Sequence, residues 1–258
     1  MAVPAQAAPT CYEGHDLEAL ADLPHYVDWI RHGFAGHLRG RVLEVGAGTG
    51  NFSIQYVADV DEAVLLEPAQ NLYPILAARF CSLPHVQPVC GLLDEWSQRP
   101  EAHGGPGRRL FDAAVMVNVL EHIADDQGTL RRLALLLRPG GKLLVFVPAL
   151  RWLYGSLDAE VQHYRRYSRS GLTRVVSRAG LDVLSLRFFD AVGVLPWLLA
   201  GRILKRRRFS AAAAHVYDRV VVPVVSRLER WLRLPLGKNL ICIAQRPVKA
   251  RAVVLRAA

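Results

Sequence analysis

The stretch RVLEVGAGTGNFS, residues 41–53, constrains the fold more than any other part of this chain. Its apolar residues predict a short buried strand, and Gly46, Gly48 and Gly50 predict a turn after it. A strand that enters a glycine-rich turn and then a helix lets the backbone approach a bound nucleotide closely. The dinucleotide pattern G-x-G-x-x-G is not met, because its last place holds Asn51, and the phosphate-loop pattern does not occur here either. The stretch therefore predicts a nucleotide-type site of another kind, or a strand–turn–helix without a ligand.

An acidic residue ends the next predicted strand. Residues 63–66 are apolar, and Glu67 and Pro68 follow them directly. Glu67 lies about twenty residues beyond the first glycine, near the distance at which nucleotide-binding folds place a carboxylate that accepts the ribose hydroxyl protons. The spacing predicts a ribose contact by Glu67, with a solvated strand-end acid as the alternative.

Strand-like and helix-like segments alternate to the end of the chain and indicate an α/β fold. We expect a doubly wound, mostly parallel sheet of seven strands in a single domain over 1–258, with the last one or two strands antiparallel. The helix ahead of the first strand, 15–38, is expected to act as a lid, and 1–14 and 249–258 are expected to be flexible tails. Further strands are predicted at 85–90, 111–117, 142–147, 182–189 and 239–244, and helices at 52–58, 71–80, 126–137, 171–179 and 211–232.

Composition limits the class of protein. Hydrophobic residues make up 52% of the 258 residues, enough to fill a core, and the formal net charge is +9. This excess of positive charge suits an anionic partner, or it reflects a general preference for arginine. The four cysteines are far apart and are expected to be reduced core thiols. A secretory signal and an apolar run of about 18 residues are both missing, so we expect a cytoplasmic protein without a transmembrane helix.

The segment His163-Tyr164-Arg165-Arg166-Tyr167-Ser168 combines groups that suit an acceptor site. An imidazole titrates near neutral pH, so His163 could remove a proton from an attacking group. Arg165 or Arg166 could hold a carboxylate or phosphate through two parallel hydrogen bonds. The alternative is a structural role, in which these side chains form hydrogen bonds with the backbone and hold the loop against the core.

A helical insertion is predicted over 191–238, before the last strand. Its first part, GVLPWLLAGRILKRRRF, is apolar and is followed at once by the basic run 205–208. This combination suits a lid over an apolar substrate, which we favour, and also a helix that lies on an anionic membrane surface. Packing as core or as a dimer face is the remaining alternative.

Four motifs together resemble the class I S-adenosylmethionine (SAM)-dependent methyltransferases, in particular the bacterial type 11/12-like methyltransferase-domain proteins. They are RVLEVGAGTGNFS, NVLEHI at 118–123, LRPGGKLL at 137–144 and DAEVQHYRRYS at 158–168. The resemblance covers roughly 26–247. It implies the Rossmann-like methyltransferase fold, SAM as cofactor with S-adenosylhomocysteine (SAH) as product, and transfer of the methyl group by in-line displacement.

The resemblance also implies roles for individual residues. Where the family commonly has an acid that binds adenine, this chain has Leu92, so either Asp94 reaches back or backbone and apolar groups hold the ring. The catalytic candidates are His163, His122 and Tyr164, and no metal is expected. Acceptor contacts are expected from Tyr26, Arg165 and Tyr167. The implied cofactor contacts are Glu44, Gly46, Ala47, Gly48, Gly50, Asn51, Glu67, Pro68, Leu92, Leu93, Asp94, Asn118, Val119 and Leu120.

The acceptor is less defined than the cofactor. The apolar insertion favours a small hydrophobic, natural-product or lipid-linked molecule, and methylation at oxygen, nitrogen or carbon stays open. The [DN]-P-P-[YF] motif does not follow the fourth predicted strand, which argues against DNA-base or glutamine-amide methylation. A SAM-binding scaffold protein with little catalysis and an RNA methyltransferase are the alternatives, although nucleic acid is not an expected partner. An NAD-dependent oxidoreductase is disfavoured by Asn51.

Overall fold

The computed structural model describes residues 23–103, 110–206, 210–232 and 234–248, so the predicted tails and the first part of the predicted lid helix lie outside the described residues. The strands in this part of the chain are β1 (Arg41–Val45), β2 (Glu62–Glu67), β3 (Val86–Cys90), β4 (Phe111–Val117), β5 (Leu137–Pro148), β6 (Asp182–Phe189) and β7 (Asn239–Gln245). They form one sheet in the order β3-β2-β1-β4-β5-β7-β6. Only the pairings of β7, with β5 and with β6, are antiparallel, so the predicted mostly parallel sheet is confirmed.

Helices cover both faces of the sheet. The α-helices are α1 (Pro24–Gly33), α2 (Tyr73–Phe80), α3 (Leu93–Trp96), α4 (Asp126–Leu136), α5 (Ser156–Glu160), α6 (Arg169–Arg178), α7 (Val194–Trp197), α8 (Ala211–Val216) and α9 (Val222–Trp231). Short 3₁₀ segments are Ser53–Gln55, Val57–Asp59, Pro100–His103, Leu120–His122 and Arg151–Leu153, and π-helical segments are Leu198–Ile203 and Tyr217–Val221.

The central strands are buried along most of their length because helices pack against both faces of the sheet. All five residues of β1 are buried, and five of the seven residues of β4 are buried. One core layer lies beneath α4 and α6, and the other lies beneath α1 and α2. This packing fixes the carboxyl ends of the parallel strands, where ligands bind in sheets of this kind.

The prediction of a helix over 52–58 is wrong. The chain forms two short 3₁₀ segments there, Ser53–Gln55 and Val57–Asp59. The side chains of Ser53 and Tyr56 both donate to the Glu44 carboxylate, at 2.7 and 2.8 Å, which pins this turn against β1. Because no helix begins here, the glycine loop receives no helix dipole.

Prolines define where two helices begin. Pro24 and Pro74 each occupy one of the first two positions of α1 and α2, where a missing N–H breaks no helical hydrogen bond. Pro74 therefore does not interrupt the helix predicted over 71–80, because the helix begins only at Tyr73.

Two helices make up the predicted insertion before β7. The first insertion helix, residues 194–203, is α7 continued by the π-helical segment Leu198–Ile203. The second insertion helix, residues 211–231, joins α8 and α9 through the π-helical segment Tyr217–Val221. No helix within the described ranges is long and apolar enough to cross a membrane.

The cysteines differ from the expectation of core thiols. Cys242 is buried, but Cys81 and Cys90 are exposed, and all three are free. Cys90 is the last residue of β3, the strand at one edge of the sheet. Cys11 lies outside the described residues.

Candidate functional site

The glycine loop is held against the neighbouring strands by its own backbone. The N–H groups of Gly46 and Ala47 both donate to the carbonyl of Leu66, at 2.8 and 2.9 Å. Gly46 has a φ of +71°, and a Cβ at this position would lie 2.5 Å from a methyl group of Val119. A side chain would be strained here and would also push the loop away from the end of β4. Glycine at this position therefore lets the loop lie close to the end of β4, and its approach to a bound nucleotide stays a prediction.

Glu67 and the loop meet at the end of β2. One carboxylate oxygen of Glu67 accepts from the Gly48 N–H at 2.7 Å, and the other accepts from the Ala69 N–H at 2.9 Å. Burial raises the pKa of Glu67, and these two backbone hydrogen bonds oppose the rise. Each carboxylate oxygen keeps a further lone pair, so this donor-poor, acceptor-rich group fits a ribose diol. The residues thus fit the ribose of SAM.

Two other loop residues have structural partners. Glu44 lies beneath the loop and accepts from Ser53 and Tyr56. Burial raises the pKa of Glu44 to about 7, although those two hydrogen bonds oppose it. The Asn51 side chain accepts from Arg79 at 2.7 Å. The sequence placed Glu44 and Asn51 among the cofactor contacts, and the structure shows both side chains holding the loop.

The expected adenine contacts separate into different environments. Leu93 is buried in the core, and Asp94 forms an ion pair with Arg132 at 3.2 Å. The Asp94 carboxylate thus has a partner on α4, which favours the alternative that backbone and apolar groups hold adenine; both alternatives stay predictions. Leu92 is exposed and can still contact the ring. Pro68 is half-buried beside Glu67.

The end of β4 carries a strained residue. Asn118 has a φ of +53°, and its N–H donates to the carbonyl of Phe146 at 2.9 Å. Non-glycine residues in the left-handed region are uncommon and cluster at ligand sites. Val119 packs against Gly46, whereas the Leu120 side chain is buried. The backbone at Asn118 thus turns sharply beside the glycine loop, at the expected methionine end of SAM.

A buried group of charges surrounds His163. Its Nδ1 lies 3.0 Å from a carboxylate oxygen of Asp158, and the same oxygen accepts from Arg166 Nε at 2.7 Å. The other oxygen of Asp158 accepts from the Trp197 indole N–H at 3.4 Å. Burial works to raise the pKa of Asp158, but the hydrogen bond from His163 and the charge of Arg166 outweigh it and hold that pKa below its ordinary value. Asp158 is therefore a stable anion that orients His163.

Two further groups face His163 from the end of β4. The rings of His122 and His163 meet edge to face, with centroids 4.6 Å apart. Burial, helped by the nearby His163, lowers the pKa of His122 to about 4, so this imidazole is neutral at physiological pH. A carboxylate oxygen of the buried Glu121 lies 3.9 Å from His163 Nε2. The predicted catalytic pair, His122 and His163, is thus brought together, whereas Asp158 was not expected.

The other acceptor candidates have different positions. Tyr164 is exposed, and Arg165 binds Asp126 and the carbonyl of Ala124, at 2.8 and 2.9 Å. Arg166 is buried, and its Nη1 donates to the carbonyl of Ala149 at 2.9 Å. The prediction of a bidentate anion site at either arginine is therefore not met within the described residues.

Two predicted substrate contacts are core residues. Tyr167 is buried, and its hydroxyl donates to Asp126 at 2.9 Å. Tyr26 is also buried, with its ring against Phe146 and its hydroxyl donating to Asp190 at 3.1 Å. The expectation that these side chains contact the acceptor is corrected: each phenol is used to satisfy a buried carboxylate.

The cluster of Glu121, His122 and His163 offers three groups of the kind that bind divalent metals. Their ligand atoms lie within 4.8 Å of one another. Nitrogen and oxygen ligands about 2.1 Å from one tetrahedral zinc ion would be roughly 3.4 Å apart. The Glu121 carboxylate and His163 Nε2 are 3.9 Å apart, only slightly wider than that, so a small movement of these side chains would let the cluster hold a divalent ion.

Comparison with known proteins identifies the family. The chain matches the family described as "Methyltransferase domain" over residues 15–186, which is more than half of its length. It is 27% identical over 179 residues to a ubiquinone biosynthesis O-methyltransferase from Azoarcus sp. (strain BH72), covering 63% of this chain and 72% of that protein. It is 31% identical over 111 residues to a hybrid PKS-NRPS synthetase from Talaromyces variabilis, but spans only 3% of that protein's length.

Solved structures show the same fold at low identity. A chain of the complex between the Haloferax volcanii Trm112 methyltransferase activator and a methyltransferase has a TM-score of 0.60 at 14% identity, covering 91% of this chain and 95% of that chain. Phosphoethanolamine N-methyltransferase 2 from Haemonchus contortus, in complex with S-adenosyl-L-methionine, has a TM-score of 0.55 at 16% identity. The match covers 90% of this chain and 57% of that chain. With the glycine loop and Glu67 in place, the chain belongs to the methyltransferase-domain family as an enzyme that uses S-adenosyl-L-methionine.

Proposed function

We propose that this enzyme methylates a hydroxyl group of a small hydrophobic, natural-product or lipid-linked acceptor, with His163 as the base. The observation that carries the proposal is the 3.0 Å contact between His163 Nδ1 and Asp158. A base is needed only when the acceptor atom begins protonated, as a hydroxyl does. The Azoarcus relative is an O-methyltransferase, which supports the same choice.

The hydrogen bond to Asp158 selects the useful tautomer of His163. A carboxylate can only accept, so Nδ1 carries the proton and Nε2 keeps a lone pair. His163 Nε2 then takes the hydroxyl proton of the acceptor while its oxygen attacks. Asp158 and Glu121, the latter 3.9 Å from Nε2, stabilise the imidazolium that results.

The cofactor side needs little chemistry from the protein. Bound SAM supplies a methyl group already activated by a sulfonium. Glu67 would accept from the ribose hydroxyls, and the backbone at Gly46 and Asn118 would flank the amino-acid end. These contacts fix the direction of the methyl group, which in-line transfer requires.

The apolar insertion supports a hydrophobic acceptor. Trp197 of the first insertion helix touches Asp158, and Ser156 donates to the carbonyl of Gly201 at 2.9 Å. The insertion therefore packs directly on the segment that orients the base. In this proposal an apolar substituent of the acceptor packs against Trp197, which the insertion places on this segment.

The proposal can be tested by measuring SAH formation with matched acceptors. The panel pairs a prenylated catechol with its prenylated aniline analogue, and each with the same ring lacking the prenyl chain. We expect the hydroxylated, prenylated compound to be methylated fastest, with the new methyl group on oxygen by mass spectrometry. The His163→Gln variant should lose this activity, His32→Gln should retain it, and a chelator should have no effect.

Several results would contradict the proposal. Faster methylation of the amine would exclude a hydroxyl acceptor, and equal rates with and without the prenyl chain would exclude the apolar preference. Loss of activity with a chelator would show that a metal ion is needed, and His163 would then be a metal ligand and not the base. Unchanged activity of His163→Gln would remove its catalytic role.

A further inference from the structure

The second insertion helix carries a regular row of exposed apolar side chains. The row consists of residues spaced by four positions, each between 53% and 63% exposed, followed by one tryptophan that is 88% exposed: Val216, Val220, Val224, Leu228 and Trp231. Positions four apart lie on one face of a helix. Scattered apolar residues on a surface are ordinary, but a continuous row along an entire helix marks an interaction site.

The opposite face of this helix is fixed to the domain, so the row cannot turn inward. Asp218 is buried and accepts from the backbone N–H of Tyr26 at 2.8 Å. Glu229 accepts from the backbone N–H groups of Asp190 and Ala191, at 3.1 and 2.8 Å. Val222 is buried between these two anchors. The outward direction of the apolar row is therefore part of the fold.

The first insertion helix has a similar exposed row. Leu195, Leu199 and Ile203 are again spaced by four and are exposed. The other side of this helix holds Trp197, which donates to Asp158. Both insertion helices thus present apolar rows to solvent, and we call these two rows the outer face.

Charge distinguishes the partners that could cover the outer face. Residues 191–238 contain ten lysines and arginines but only two acidic residues, Asp218 and Glu229. Both acids are buried in contact with the domain, so the exposed charge of the insertion is basic throughout its described part. Among the described residues the exposed basic ones are Arg202, Lys205, Arg206, Arg219, Arg227 and Arg230.

We propose that the outer face docks on the surface of an anionic phospholipid bilayer. Helices that lie in a membrane interface combine a row of leucine, valine and tryptophan with flanking arginines and lysines. Apolar side chains enter the boundary of the acyl chains, and the basic residues contact the head groups. RNA would use the basic residues but leave the apolar rows exposed, and a second copy of this chain would bring like charges together.

The proposal does not depend on the identity of the acceptor. It does locate the bilayer next to the site, because Trp197 connects the first insertion helix to the Asp158–His163 pair. A lipid-linked acceptor could then reach His163 without leaving the membrane. Methylation of a water-soluble acceptor would overturn the proposed function but not the docking.

Vesicle flotation with the full chain tests the docking. One set of vesicles contains phosphatidylcholine alone, and the other contains phosphatidylcholine with phosphatidylglycerol. We expect binding to the anionic vesicles only, weakened by salt. Each basic residue near an anionic surface contributes about fivefold to partitioning, so Arg227→Gln/Arg230→Gln should weaken binding about thirtyfold. Leu228→Ser/Trp231→Ser should weaken it at least as much.

Matched controls separate docking from general charge and hydrophobicity. Arg99→Gln/Arg174→Gln removes two exposed arginines elsewhere, and Leu135→Ser/Leu184→Ser removes two exposed leucines. Both controls should bind like the wild type. Equal binding by all variants, or no binding to anionic vesicles, would overturn the proposal. Self-association or RNA binding that is lost in the outer-face variants, without vesicle binding, would also overturn it.

Discussion

The cofactor half and the acceptor half of this site hold their carboxylates in opposite ways. Glu44 and Glu67, beside the glycine loop, are buried with no basic side chain of the described residues in contact, and burial raises both pKa values. Asp158, on the acceptor side, is buried against His163 and Arg166, and its pKa is lowered. The first half therefore holds its carboxylates through hydrogen bonds from neutral groups, whereas the second keeps a fixed anion beside a histidine and an arginine.

The largest expected effect is on the acceptor half. His163→Gln should lower the rate of methyl transfer by about 10²–10⁴-fold, since a positioned general base contributes on that scale. SAM affinity should not change, because the cofactor contacts lie at the glycine loop. Steady-state kinetics with an accepted hydroxyl substrate and calorimetry with SAM measure the two quantities. A similar loss in His32→Gln, at an exposed histidine, would show that the assay reports folding instead.

The second effect concerns stability. Asp158→Asn should destabilise the protein by roughly 3 kcal/mol, because Arg166 would be left buried without its anion. Urea unfolding measures this loss. Asp28→Asn, which breaks the exposed pair with Arg31, is the control and should cost less than about 1 kcal/mol. If Asp158→Asn cost no more than the control, the buried pair would not stabilise the acceptor half.

The two halves also differ in how well the sequence predicts them. The glycine loop and Glu67 lie within 41–67, so spacing along one strand–turn–strand unit was enough to predict their meeting. Trp197 and Asp158 are 39 positions apart, and their contact depends on how the insertion folds back. Asp158 precedes His163 by five residues, and a search for acids near that histidine could have found it. Tyr26 and Tyr167 were mistaken for ligand contacts because sequence does not distinguish a phenol that binds substrate from one that satisfies a buried carboxylate.

The third effect tests the cofactor half. Glu67→Gln should weaken SAM and SAH binding by about 10–100-fold, the loss expected for hydrogen bonds to a charged acceptor. Asp94→Asn should leave binding unchanged, because its side chain pairs with Arg132. Calorimetric titration compares the two variants, and NAD should not bind to either. Weakened binding in Asp94→Asn would restore this residue as an adenine contact.

The smallest effect is a pH dependence that differs in sign between the halves. The pKa of His122 is lowered from 6.5 to about 4, so the unfolded chain takes up the proton first and this group destabilises the fold as pH falls from 6.5 toward 4. The pKa of Glu44 is raised from 4.5 to about 7, so its contribution to stability is complete below pH 4.5 and is lost as pH rises through 7. Acidification therefore weakens one half and strengthens the other.

Single substitutions should separate these opposed contributions, each of which changes by about 1.4 kcal/mol per pH unit within its window. His122→Gln should become more stable relative to the wild type as pH falls from 6.5 to 4. Glu44→Gln should gain most relative to the wild type above pH 7, where the wild-type carboxyl must ionise in a buried position. Urea unfolding at several pH values gives both differences. If both variants showed the same pH dependence of stability, the contrast between the halves would be removed. Opposite pH dependences would show that burial disfavours a positive charge on His122 in one half and a negative charge on Glu44 in the other.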